Sequence, residues 1–314
     1  MDEDMPRVSI VMNCYNGEAY LREAIDSVYA QSFGDWEIVF WDNASSDTSA
    51  AIAHSYDGRL KYHRAERTTP LGAARNAALG LAVGEYIAFL DTDDKWMPTK
   101  LERQVSLMDT NPLLGLSHTD VLCHNQSDGS TFRHFALLGE KPERGKVFAF
   151  LLRVNAIAMP SVMLRTVALQ QQKEWFDERF EIYPDFDLFR RIAHDWECDY
   201  VDEPLAFYRM HGASSSTRNH QRAADELAMT LVKLCTLFPE IELSYADEAA
   251  YLRSMIDYQK GKSLWREGEG SAARREFRKH RNLAKMRHAY WATFLPYRIV
   301  ERLWRTASRL TSRG

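Results

Sequence analysis

The chain predicts an α/β fold of the doubly wound kind, a mixed sheet flanked by helices and followed by a C-terminal helical extension. Three observations carry this expectation. Apolar strand-like runs alternate with helical patterns through the first hundred or so residues; polar and acidic clusters sit where the runs stop; and from about residue 220 the pattern is helical to the end. In such folds the ligand site lies beyond the carboxyl ends of the strands.

Taken in order, "RVSIVMN" is a nearly continuous apolar run, and "GEAYLREAIDSVYAQ" after it sets Leu21, Ile25 and Val28 on one helical face. "WEIVFWD" is a second strand, ended by Asp42 and the turn-rich "NASSDT" that caps a following helix. "RLKYHRAE" reads as a weaker third strand, "LGAARNAALGLAVG" as a helix closed by Gly84, and "EYIAFLD" as a strand buried on both faces. Pro98 opens the helix "PTKLERQVSLMD". Further on, "HNQSDGSTFRHF" is a hairpin turning at Asp128-Gly129, "NAIAMPSVMLR" a strand, "DFDLFRRIAHD" a helix and "CDYVDEPLAFYRM" a strand. "YQKGKSLWREGEGSAARREFRKH" is a helix pair joined at Gly268 to Gly270, a single copy that makes no repeat array. The expected organisation is a domain over 1–219 and a helical extension over 220–314 that ends in a basic amphipathic tail.

At 314 residues and 45% hydrophobic content the chain buries a substantial core. Cys14, Cys123, Cys198 and Cys235 lie far apart, with no CxxC pair, and are expected to be reduced, mostly buried thiols. The start "MDEDMPRVSI" is acidic where a secretory signal is basic, and no run reaches the roughly 18 apolar residues of a membrane span. The expected location is the cytoplasm, at the inner face of the membrane if the tail binds there. Residues 271–314 carry 12 Lys and Arg against 2 acids within a chain of net charge −4, so a basic tail follows an acidic body.

The stretch "FLDTDDKW" crowds Asp91, Asp93 and Asp94 at the end of a buried strand. Like charges so close repel unless something positive sits between them. A solvated acidic turn is one reading, and a hard divalent cation, Mn²⁺ or Mg²⁺, that also holds phosphate oxygens is the other. Asp42 is either an acceptor for ribose hydroxyls or a base N–H, or a cap formed with Ser45 and Ser46. Arg75 is either a surface arginine or a contact to base or phosphate. Asp185, beside Asp187 and behind Tyr183 and Pro184, is either a plain N-cap or a general base for a hydroxyl. Arg209 and His211 precede a Ser-rich loop; His211 is either structural or a contact to metal or phosphate, with the loop closing over it.

Together these residues resemble the family 2 glycosyltransferases of the GT-A fold, from about Val8 to Ser216. Three ordered blocks carry the likeness: "VSIVMNCYNGEAYLREAIDSVYAQSFGDWEIVFWDNASSDT", "GAARNAALGLAVGEYIAFLDTDDKWMPTKL" and "PDFDLFRRIAHDWECDYVDEPLAFYRMHGASSS". The resemblance implies transfer of a sugar, a hexosyl group, from a nucleoside diphosphate donor to an acceptor hydroxyl with inversion, in synthesis of bacterial-type surface polysaccharide or another glycan. By position it implies that Cys14, Tyr15, Asn16 and Asp42 hold the nucleoside with help from Arg75, and that Asp91, Thr92 and Arg209 meet the donor. It further implies that Asp91, Asp93, Asp94 and His211 serve the cation, and that Asp185 is the catalytic base. A UDP-sugar donor and a glycan or lipid-linked glycan acceptor are the favoured partners. Two departures stand out: Pro184-Asp185 replaces the frequent Glu-Asp, and Asn43 stands where a second Asp is common.

In the tail, Phe277, Leu283, Tyr290, Trp291, Phe294, Leu295, Ile299, Leu303 and Trp304 alternate with arginines. Residues 271–290 are expected to pack as a helical subdomain, and 290–310 to meet a membrane surface or a partner protein. Nucleic acid is not expected, because the body is acidic and no binding motif occurs. A nucleotidyltransferase acting on sugar phosphates is the alternative enzyme, but "MNCYNGEAY" lacks the Gly-rich basic loop it uses, and a Rossmann oxidoreductase fails on the same pattern. A non-catalytic scaffold that binds membrane or partners is the third reading; retention of Asp42, Asp91, Asp93 and Asp185 speaks against it.

Overall fold

The computed structural model describes residues 5–211, 220–301 and 303. They fall into two compact units, Met1–His211 and Gly212–Gly314.

In the first unit the alternation of the sequence becomes β1 (Val8–Cys14), α1 (Leu21–Tyr29), β2 (Trp36–Asp42), α2 (Ser49–Ala53), β3 (Leu60–Arg64), α3 (Leu71–Leu79) and β4 (Tyr86–Phe89). Then come β5 (Lys95–Trp96), α4 (Lys100–Thr110), β6 (Leu114–Asn125), β7 (Thr131–Arg133), α5 (Phe148–Arg153), β8 (Met163–Arg165), α6 (Thr166–Gln170), α7 (Pro184–Asp195) and β9 (Glu197–Met210). The strands form one mixed sheet in the order β3-β2-β1-β4-β8-β6-β9-β5, with β7 paired to β6. β1 to β4 are parallel neighbours, while β8 runs antiparallel between β4 and β6. Period-two side chains split the core: Val8, Ile10 and Met12 of β1 pack on one face with α1 and α4, and Val11 joins Ile87, Phe89 and Leu188 on the other.

Several local expectations give way. α3 stops at Leu79 with Gly80 as its C-cap, not at Gly84. Gly84 is needed elsewhere, because a Cβ there would come within 2.5 Å of the Ser9 nitrogen and push β1 from the start of β4. The stretch 155–165 folds as a 3-10 turn, Met159–Ser161, before the short β8, since Pro160 has no N–H for a ladder. The long strand β6 is not expected from the sequence: it buries Ser117, His118, Thr119 and Asp120 among its apolar residues, which erases the hydrophobic alternation. The hairpin turn forms as expected, with Gly129 at φ +74°.

The second unit is helical: α8 (His220–Leu237), α9 (Ile241–Ser244), α10 (Ala246–Arg266), α11 (Gly270–Arg278) and α12 (Ala284–Ala292). Gly268, at φ +92°, makes the joint between α10 and α11. Trp265, Ala273, Phe277, Met286, Ala289 and Val300 form its buried cluster. Among the described residues no helix is long and apolar enough to cross a membrane. Cys14, Cys123 and Cys198 are buried free thiols, and Cys235 is partly buried.

Candidate active site

The acid turn is built where β4 ends. Leu90 N–H still donates to the Val11 carbonyl, and Asp94 N–H then donates to the Asp91 carbonyl at 3.1 Å, closing a turn over Asp91–Asp94. Directly afterwards β5 pairs antiparallel with β9, Lys95 opposite Phe207 and Trp96 opposite Ala206. This pairing carries Arg209 and His211 onto the turn. The Arg209 backbone N–H donates to Asp94 Oδ1 at 2.9 Å, Arg209 Nε–H to the Asp93 carbonyl at 2.9 Å, and His211 Nε2–H to Asp93 Oδ2 at 2.8 Å.

The three acids therefore divide in role. Asp94 is 1% exposed and its carboxyl is pushed well up by burial and by Asp93 and Asp91, so the expected ligand is instead an inward anchor for β9. Asp91 and Asp93 stay partly exposed. Burial, then the charge of Asp91, raises the Asp93 carboxyl, against the pull of His211. Arg209 is likewise drawn into the frame: Nη2–H donates to Glu23 Oε2 at 2.7 Å and the guanidinium lies 4.3 Å from the centre of the Tyr20 ring.

On the opposite side α3 supplies Arg75, 5% exposed, whose Nη2–H donates to Asp91 Oδ1 at 3.0 Å and lies 3.3 Å from Oδ2. It is not a surface arginine. Asp185 sits at the second position of α7, after the N-cap Tyr183 and Pro184 at the first, so it is not itself the cap. Its carboxyl is pushed up to about 6 by burial, with Asp91 adding to the rise and Arg75 and the backbone N–H groups of Asp185 and Phe186 opposing it. The fold thus brings Asp185 within electrostatic reach of the Asp91–Arg75 pair. Its neighbour Asp187 is fully buried and holds Arg191 at 2.9 Å, a structural pair.

At the end of β1, Asn16 takes φ +52° and its Oδ1 accepts from the Ser46 N–H at 2.8 Å, tying the loop after β1 to the loop after β2. Gly17 packs against Thr92, since a Cβ there would meet Thr92 Oγ1 at 2.9 Å, so this loop borders the acid turn. Tyr15 is 58% exposed. Cys14 is 1% exposed, a core thiol raised by burial. Asp42 is fully buried: Oδ1 accepts from the Ser45 N–H at 2.7 Å, and Oδ2 from the Tyr62 hydroxyl at 2.6 Å and Arg64 Nη1–H at 2.8 Å. The bond from Ser45 closes the turn after β2 and does not cap α2, whose N-cap is Thr48 with no side-chain cap bond.

Among the described residues no three His, Cys, Asp or Glu side chains converge as a metal cluster. Asp93 and His211 nevertheless form a partly exposed oxygen–nitrogen pair beside Asp91. That set fits a hard cation held by one or two carboxylates and completed by phosphate oxygens, not an all-protein cage. The raised carboxyl of Asp93 fits the same chemistry, because a cation relieves its repulsion from Asp91. The Ser-rich stretch 212–219, expected to close over phosphates, lies outside the described residues.

Residues 9–151 match the model of Glycosyl transferase family 2. An uncharacterized glycosyltransferase of Methanocaldococcus jannaschii is 33% identical over 216 residues, 66% of this chain and 72% of that protein. The chain belongs to this family. The glucosyltransferase WfgD of Escherichia coli, a UDP-Glc:alpha-D-GlcNAc-diphosphoundecaprenol beta-1,3-glucosyltransferase, is 42% identical over 102 residues, 32% of this chain and 40% of that one. Among solved structures, S. aureus TarS in complex with UDP-GlcNAc is similar at TM-score 0.64 and 17% identity, over 96% of this chain and 92% of that chain. A Pyrobaculum calidifontis mannosyltransferase in complex with GDP-Man and Mn²⁺ gives TM-score 0.62 and 18% identity, over 97% and 84%. Both show that the glycosyltransferase has the GT-A fold.

Some residues that shape this glycosyltransferase site were not singled out in the sequence. Tyr62 and Arg64 share one side of β3 and lie in register with Phe40 and Asp42, so the period-two rule applied to "KYHR" points to them. Glu23 and Tyr20, which hold Arg209, carry no such signal, because their partner lies 186 positions from Glu23.

Proposed function

We propose that this family 2 glycosyltransferase is an inverting hexosyltransferase with Asp185 as its base. The observation that carries the reading is Asp185 at the start of α7, whose carboxyl burial raises to about 6 within electrostatic reach of Asp91 and Arg75. A group with that value is ionised at neutral pH and still basic enough to accept a proton. Asp185 takes the proton of the acceptor hydroxyl as that oxygen attacks the anomeric carbon. The bond from the anomeric carbon to the diphosphate oxygen breaks on the opposite face, and the nucleoside diphosphate leaves with the electron pair. One in-line displacement inverts the configuration. Asp91, Asp93 and His211 would hold Mn²⁺ or Mg²⁺, and such an ion, when bound, neutralises charge gathering on the leaving diphosphate. Arg75 orients Asp91 and holds the Asp185 carboxyl below the value that burial alone imposes.

On the donor side, Tyr15 offers an exposed ring to the base, Asn16 shapes the loop that carries it, and Thr92 lies between the two outward acids. A UDP-sugar is the favoured donor, supported by the similarity to WfgD and TarS; the GDP-Man complex of the mannosyltransferase keeps a guanosine donor in view. WfgD's diphosphoundecaprenol-linked substrate supports a lipid-linked glycan acceptor and a place in surface polysaccharide synthesis at the cytoplasmic side of the membrane. A panel of nucleoside diphosphates with Mn²⁺, read by thermal shift, tests the reading. UDP should raise the midpoint more than the others, and only with the ion present. Equal shifts with excess chelator would remove the metal assignment, and no shift with any nucleotide would remove the transferase reading.

A further inference from the structure

The C-terminal unit carries an apolar face that its own core does not use. Phe277, Met286 and Val300 turn inward with Trp265, whereas Trp291, Phe294, Leu295, Ile299 and Leu303 are between 47% and 59% exposed. This exposure is built into the backbone. Trp265 Nε1–H donates to the Leu295 carbonyl at 2.9 Å and Arg274 Nη1–H to the Thr293 carbonyl at 3.1 Å, which pins the corner after α12. Outside that corner the rings of Trp291 and Phe294 stack with centroids 5.7 Å apart. The rim is basic: Arg281, Arg287 and Arg298 are exposed. From 281 to 303 there are 5 Lys and Arg against the single acid Glu301, which lies 3.7 Å from Arg266.

We propose that the face from Trp291 to Leu303 docks on an anionic lipid bilayer. Aromatic and aliphatic side chains enter the headgroup boundary while the arginines meet lipid phosphates, an arrangement whose strength grows with buried apolar area and with the negative charge of the leaflet. The corner is prepared for a medium poor in water, because the Thr293 and Leu295 carbonyls already have donors and need not be desolvated unpaired. A second copy of the chain is the competing occupant. A self-complementary contact through this face would set its arginine rim against the same rim, whereas an anionic leaflet reverses that repulsion.

Co-sedimentation of the full chain with vesicles of phosphatidylglycerol and phosphatidylcholine in equal parts, and with phosphatidylcholine alone, tests the proposal. Binding at least tenfold tighter to the anionic vesicles is expected. Trp291→Ser with Phe294→Ser should weaken it by tenfold or more while UDP binding and the thermal midpoint stay as in the wild type. Arg281→Gln, Arg287→Gln and Arg298→Gln together should remove the preference for anionic vesicles. Equal recovery on both vesicle types, or unaltered binding by Trp291→Ser with Phe294→Ser, overturns the proposal. So does a dimer, seen by light scattering, that the Trp291 and Phe294 substitutions dissolve without changing vesicle recovery. Because UDP binding is read separately, loss of vesicle binding does not touch the catalytic reading, and loss of UDP binding does not touch this one.

Discussion

His211 Nε2 stands 2.8 Å from Asp93 Oδ2, across 118 positions of sequence. The contact exists because β5, which starts one residue after the acid turn, pairs with the end of β9. Arg209, at the end of β9, ties that strand to the acid turn through Asp93 and Asp94 and to α1 through Glu23. Removing its side-chain bonds frees the turn without removing a proposed ligand. Arg209→Gln should weaken Mn²⁺-dependent UDP binding about 10-fold, in the range found when groups supporting metal ligands are lost. The check is a Mn²⁺ titration of UDP binding; an unchanged midpoint would deny Arg209 a positioning role.

Asp185→Asn should lower turnover by about 10² to 10⁴-fold, the contribution of a positioned base, and leave the donor dissociation constant within about 2-fold. In the wild type, turnover should rise with pH through a midpoint near 6, where this carboxyl loses its proton. Single-turnover rates between pH 5 and 8 report that midpoint. A flat profile would assign the proton to another group.

The same carboxyl makes a stability prediction of definite sign. Folding raises Asp185 from the ordinary 3.8 to about 6, so the native state binds the proton more tightly than the unfolded chain. The associated stability is fully present below pH 3.8 and is lost as pH rises through 6. At pH 7.5 the ionised group costs on the order of 3 kcal/mol, and Asp185→Asn should recover about 1 to 3 kcal/mol of it. Urea unfolding at pH 7.5 and pH 4 tests this: the variant should be the more stable at the higher pH and gain little at the lower.

Arg75 lowers the Asp185 carboxyl and Asp91 raises it. Arg75→Met should therefore move the acidic limb of the rate profile above 6, and leave Asp91 without its 3.0 Å donor. The profile separates this effect from misfolding, which would scale the rate at every pH alike.

Gly84→Ala should destabilise the first unit by about 1 to 3 kcal/mol, as overpacking does, because the added carbon comes within 2.5 Å of the Ser9 backbone nitrogen, which cannot swing aside. Thermal unfolding measures the loss. The site chemistry of molecules still folded should be untouched.

Much of the fold was legible because burial writes itself as periodicity. β1, β2 and β4 are apolar runs with acids or amides at their ends, and α1 and α7 show their inward stripes. β6 was hidden because four consecutive buried residues, Ser117 to Asp120, are polar and break its apolar pattern, while its main partner β9 lies far along the chain. The acid cluster and Asp185 were legible for the same reason that they are costly: carboxylates next to apolar runs need a cause.

The sequence by itself determined that Asp91, Asp93 and Asp94 stand together at a strand end and that Asp185 opens a helix. Only the tertiary structure decided which of them face outward. Neighbouring side chains in a turn point in different directions, and the pairing of β5 with β9 turned Asp94 into the protein while leaving Asp93 at the surface with His211. Charge is a property of the residue, whereas its exposure and its proton affinity belong to the neighbours that folding brings to it.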